Sequence, residues 1–172
     1  MANKHVRIGL INPKSPDNVG SALRAAGNYR VEGVYYTGQR YPRALAHNPD
    51  LPKLRRSVSE GIPATGVPSI LDGAAEGMRI VCIEFAVDAT PLPDYTHPSN
   101  AYYVFGPEDG NISQSIIDQA DDVVYIPTVG CMNMAATVNV LLYDRLSKSG
   151  MEYDSNELIQ QSRDRNNNLK VR

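Results

Sequence analysis

Short apolar runs alternate along this chain with stretches whose apolar residues recur at helical spacing, and that alternation constrains the fold more than any other feature. Residues 6–11, 33–37, 79–85, 101–105 and 123–126 read as buried strands. Residues 18–29 read as a helix opened by Pro16, Asp17 and Asn18. The second strand is expected to lead into a Pro-rich basic loop reaching about residue 53. Shorter helices are expected near 54–60, 69–76 and 113–119, the last with Ser113 as N-cap. A closing helix over 133–149, stopped by Gly150, places Met134, Val138, Leu141, Leu142 and Leu146 on one face. Strands alternating with helices define an α/β fold around a mostly parallel sheet.

At 172 residues, with no internal repeat and no long linker, the pattern fits one domain over residues 1–150. The polar stretch 151–172 is expected to be a partly disordered tail. An apolar content of 42% at this length supports a packed core, which excludes a disordered, collagenous or coiled-coil chain. The longest apolar runs, such as residues 80–83, fall far short of the ~20 residues that span a bilayer. The first ten residues hold no signal-peptide apolar core. Two cysteines without CxxC spacing and three scattered histidines (His5, His47, His97) argue against a disulfide framework or a zinc site. A soluble cytoplasmic protein with no metal and no membrane contact is the expectation.

The net charge of −2 conceals an asymmetry. Residues 1–56 carry ten Lys and Arg against three Asp and Glu, whereas residues 57–172 carry seven against sixteen. The basic end is densest at Arg40, Arg43, His47, Lys53, Arg55 and Arg56, interleaved with Tyr41 and several prolines. Such a segment suits a polyanion-facing surface, though charge alone equally describes a solvated loop.

Three loops follow strands, the place where open α/β sheets hold ligands. The first runs from Asn12 through Asn18 and Gly20 to Arg24. It is neither GxGxxG nor a Walker A loop, which removes a nucleotide-dependent oxidoreductase. Asn18 fits a helix cap as well as a ligand contact, and Arg24 fits a surface ion pair as well as a phosphate clamp. The second loop, from Gly106 through Glu108 and Gly110 to Ser113, permits close backbone approach to a ligand. The third leads from Ile126 and Pro127 to Cys131 and Asn133 at the start of the closing helix. With no His nearby in sequence to activate it, Cys131 is expected to be a buried, inert thiol.

Taken in order, the three loops resemble the three motifs of the SPOUT superfamily, and within it the SpoU/TrmH RNA ribose 2′-O-methyltransferases. Asn18-x-Gly20-x-x-x-Arg24 resembles the first motif, and Phe105-Gly106-Pro107-Glu108 through Asn111-Ile112-Ser113 the second. Ile126-Pro127, Cys131-Met132-Asn133-Met134 and Leu141-Leu142-Tyr143-Asp144 resemble the third. The resemblance covers about residues 6–146 and includes no appended RNA-binding domain. It departs from the family at Cys131, where a serine is usual, and at Asn111, where a glycine is common.

The resemblance implies a sheet covered by helices on both faces, a C-terminal deep trefoil knot, and a homodimer whose contact includes the closing helix. It also implies that S-adenosylmethionine (SAM) is bound at Ile83, Gly106, Ile126 and Cys131, leaving as S-adenosylhomocysteine. Arg24, Asn18, Glu108 and Asn133 would be the catalytic set. Because Arg is not deprotonated in proteins, Arg24 would grip a phosphate and stabilise a developing alkoxide, with Glu108 orienting Asn18 or Arg24. Arg40, Arg43, Lys53, Arg55 and Arg56 would dock RNA, either tRNA or rRNA. A knotted RNA-binding homodimer with weak or lost catalysis is the alternative that Cys131 suggests.

Overall fold

Seven strands lie side by side: β1 (Val6–Leu10), β2 (Gly33–Tyr36), β3 (Ala64–Gly66), β4 (Arg79–Ile83), β5 (Thr90–Pro91), β6 (Ala101–Phe105) and β7 (Asp122–Tyr125). Their order is β3-β2-β1-β6-β4-β7-β5, and every pairing is parallel. The computed structural model describes residues 5–47, 62–152, 155–162 and 169–171.

The period of two along each strand divides the core between the two faces of the sheet. Val6, Ile8 and Leu10 of β1, with Val81, Ala101, Tyr103 and Phe105, face a layer made by α1 (Pro16–Asn28) and α4 (Met134–Ser147). Cys82, Tyr102 and Val104 point to the opposite layer, a 3-10 turn at Ile70–Gly73 and the short helix α3 (Gln114–Ile117). Helices thus cover both faces. The Tyr102 ring occupies the space beside Gly9 and Gly73, where any Cβ would collide with it, and its hydroxyl donates to Ile70 O at 2.7 Å.

Helix α1 begins earlier than the sequence suggests. Ser15 is its N-cap, accepting from the Asn18 N–H at 3.3 Å, and Pro16 stands at the first helical position, where its missing N–H costs nothing. The side chain of Asn18 is therefore released from capping. The basic stretch expected as a loop instead opens with α2 (Arg40–His47); Pro42 falls within the first turn, where proline is tolerated, and Tyr41 packs edge-on against Tyr36. The helix expected over 69–76 contracts to the 3-10 turn, and the helix near 54–60 lies outside the described residues. Both β3 and β5 escape sequence detection because runs of three and two residues show no periodicity. The described part of the tail holds a helix, α5 (Ser155–Ser162).

A half-buried polar cluster ties α4 to the sheet. Arg145 donates to the Tyr103 hydroxyl at 2.9 Å, so that hydroxyl donates to His97 Nδ1 at 2.7 Å and His97 Nε2 donates to Asp144 at 2.9 Å. Lys148 completes it, 2.7 Å from Asp144. Burial pulls the His97 pKa down, with Asp144 opposing. The cluster fixes the helix whose first turn enters the site.

Candidate active site

The loops that leave β4, β6 and β7 converge at the carboxyl edge of the sheet and enclose a cleft. Ile83, Gly106, Ile126 and Cys131, four residues from different parts of the chain, all line it, and Glu108 closes one side. At Gly106 a Cβ would lie 3.2 Å from Ile112 Cγ1 and 3.4 Å from Glu84 Oε2, so the backbone floor is open only while this residue is bare. Cys131 is exposed at the cleft, contrary to the expected burial; the buried thiol is Cys82, pushed up to about 12 by desolvation.

Beside the cleft, one hydrogen-bonded chain joins the three motifs. Glu108 accepts from the backbone N–H groups of Lys14 at 2.9 Å and Ser15 at 3.2 Å, and from Asn18 Nδ2 at 3.4 Å. Asn133 Nδ2 donates to Asn18 Oδ1 at 2.9 Å, while Asn133 Oδ1 caps α4 by accepting from the Ala136 N–H at 3.0 Å. Each asparagine uses both ends of its amide, which fixes the flip of both side chains. Burial raises the Glu108 pKa, but the N–H donors of Lys14, Glu108 itself and Ser15, with Asn18, outweigh it and hold the carboxyl below the ordinary glutamate value.

Since the folded pKa is lowered, the contribution of Glu108 to stability is complete above the unfolded value and is lost as pH falls through the lower folded one. Glu108→Gln should therefore flatten the acid limb of a melting-temperature profile below about pH 4.5. An unchanged acid limb would show that the carboxylate is not held this way.

The other expected site residues separate. Arg24 is exposed on α1 and stands outside the cleft lining, on a stripe with Asp17, Gly20, Ser21 and Asn28. Arg43 is exposed on α2. Arg40, expected to dock RNA, has its guanidinium bonded to Asp109 and to the carbonyl of Asn12. Lys53, Arg55 and Arg56 lie outside the described residues. Glu84 was not anticipated from the sequence. It accepts from the Ile112 N–H at 2.8 Å and the Phe85 N–H at 2.9 Å, stapling two walls of the cleft. Its only sequence signal is a carboxylate directly after a strand.

Among the described residues no group of His, Cys, Asp and Glu could hold a metal ion, and no helix is long and apolar enough to cross a membrane. A parallel α/β sheet whose carboxyl edge carries a cleft floored by bare backbone is a ligand-binding architecture. A model of the SpoU rRNA Methylase family matches residues 5–143, and the chain belongs to that family.

The chain is 27% identical over 153 residues to an uncharacterized tRNA/rRNA methyltransferase of Synechocystis sp.; the match covers 81% of this chain and 53% of the relative, so it spans about half that protein's length. Among solved structures, it resembles the SpoU methyltransferase AviRb from Streptomyces viridochromogenes in complex with AdoMet. There the TM-score is 0.69 at 21% identity, over 87% of this chain and 59% of that one. A structure concerned with 2-OH methylation of C/U34 on tRNA gives a TM-score of 0.71 at 18% identity, over 88% and 94% of the two chains. These likenesses carry the fold.

Proposed function

We propose that this chain is a SAM-dependent methyltransferase that methylates a ribose 2′-hydroxyl of tRNA or rRNA as a homodimer, with residues 1–150 as the catalytic unit. The observation that carries the reading is the Glu108–Asn18–Asn133 chain beside a cleft that collects Ile83, Gly106, Ile126 and Cys131. The cleft suits an adenosyl group: Ile83 and Ile126 offer apolar walls, and Gly106 leaves backbone groups free to read an adenine edge. SAM supplies an electrophilic methyl group and leaves as S-adenosylhomocysteine. A deep knot belongs to the same proposal, supported by the chain's passage across β4 from β6 to β7 and on into α4.

Holding a hydroxyl in line with a methyl donor is worth ~7–11 kcal/mol, so rigidity is the main catalytic resource. Glu108, Asn18 and Asn133 provide it by locking the first turns of α1 and α4. Arg24 grips a substrate phosphate and stabilises the developing alkoxide, and the proton leaves through that phosphate or a water.

Arg24 stands six residues beyond Asn18, about 120° around α1 and about 9 Å along it. It is thus turned from its own cleft and suited to the cleft of a second copy. The neighbouring face of α4 supports such a pairing, since it exposes Val140 and Tyr143 next to α1.

The test is transfer of labelled methyl from SAM to total RNA from cells lacking this protein. Label in RNA supports the reading, and mapping it names the nucleotide. SAM binding without label in any RNA favours the non-catalytic RNA-binding dimer. Docking through Arg43 and the basic residues near it should make RNA binding fall about tenfold or more between 50 and 200 mM salt, as counterion release requires. A flat salt response would remove the basic segment from the docking surface.

A further inference from the structure

We infer that Arg40 is a positioning residue for the cofactor cleft, linking the helix α2 to the loop that carries Gly106 and Glu108. The inference rests on the SAM-binding reading above. Three loops meet at this one guanidinium. Its Nε and Nη2 donate to Asn12 O at 3.0 and 2.6 Å, in the loop after β1. Its Nη1 donates to both carboxylate oxygens of Asp109, at 2.9 and 2.8 Å, in the loop after β6. Arg40 itself opens α2, in the loop after β2. Nη2 also lies 3.9 Å from Glu108, the carboxylate that holds the start of α1.

The geometry around Asn12 is built to receive this contact. Asn12 has φ of +43°, a conformation unusual outside glycine, and its N–H donates to Thr37 Oγ1 at 3.2 Å. Gly38, at φ +81°, has no Cβ to collide with the Asn12 side chain. Turning the Asn12 carbonyl toward α2 thus places a backbone acceptor beside Asp109. A planar fork reaches the two acceptors with three separate nitrogens held in fixed geometry, whereas a lysine ammonium offers its three donors from a single nitrogen. Removing the bridge leaves Asp109, which stands between the cleft-lining Glu108 and Gly110, less fixed, while the Glu108–Asn18–Asn133 chain retains its own bonds.

The test is calorimetric titration of SAM into wild-type protein and into Arg40→Ala, Asp109→Ala, the double variant, Arg40→Lys and Arg79→Ala, alongside amide exchange over residues 107–110 without SAM. Arg40→Ala and Asp109→Ala should each weaken SAM binding about fivefold and speed exchange in the loop, and the double variant should be no worse than the weaker single one. Arg40→Lys should recover part of the loss, and Arg79→Ala, which breaks the Arg79–Asp122 pair at the start of β4 and outside the cleft lining, should leave SAM affinity and loop exchange unchanged. In RNA methylation the loss should appear as a raised KM for SAM, with kcat at saturating SAM within about twofold. Unchanged SAM affinity in Arg40→Ala, or additive losses in the double variant, overturns the inference. Should Arg40→Ala fail to fold, Asp109→Ala, which leaves the Asn12 contact in place, carries the same expectation. Wild-type protein that binds no SAM would instead refute the underlying function.

Discussion

Arg24→Ala should lower methyl transfer to RNA by about 10²–10³-fold while SAM affinity stays within about twofold. A cation placed where charge develops acts on the transition state rather than on the bound cofactor, so its loss appears in kcat. Arg24 is not among the residues that line the cleft, and, because it is exposed, its removal creates no cavity. Folding should therefore be unaltered. The helical angle between Asn18 and Arg24 adds a sharper expectation. A mixed dimer of Arg24→Ala and a cleft-blocked chain holds one complete site, so two inactive preparations should regain activity on mixing. Failure of mixed dimers, once formed, to do so would place Arg24 at its own cleft, and lost SAM binding in the single variant would show that it is no phosphate clamp.

Gly106→Val should abolish useful SAM binding, with affinity falling about 10–100-fold from steric crowding alone. Even the first added carbon would stand 3.2 Å from Ile112 and 3.4 Å from Glu84. Ile112 is buried and Glu84 is bonded to two backbone N–H groups, so neither can yield cheaply. Gly106→Ala should show the smaller part of the same loss. Equilibrium binding checks both, with a melting curve to show that the sheet remains intact. Normal affinity in the valine variant would move the cofactor out of this cleft.

Five of the strands and the two long helices were legible in sequence because each carries a run or a helical stripe of buried and half-buried apolar side chains. The closing helix shows it best: Met134, Val138, Leu141 and Leu142 are buried as their spacing requires. Asn18 and Asn133 were legible as candidate site residues only through their order with Glu108, since an asparagine before a helix ordinarily reads as a cap. Asn133 does cap α4, whereas Ser15 relieves Asn18 of that duty. The partner of Arg40 could not be read, because 69 residues separate it from Asp109 and no local pattern reports a contact across loops. Cys131 was misjudged for a related reason: burial near a helix start depends on how distant loops close over it.

The borders of the sheet have a consequence for how copies of this chain meet. One border strand is three residues long and ends at Gly66, and the other is two residues long and contains Pro91, which has no N–H to offer. An incoming strand would find almost no ladder to extend at either side. Growth of the sheet from molecule to molecule, the route to fibres, therefore finds little template at either border, and the homodimer proposed above has to be sought on the helical surfaces.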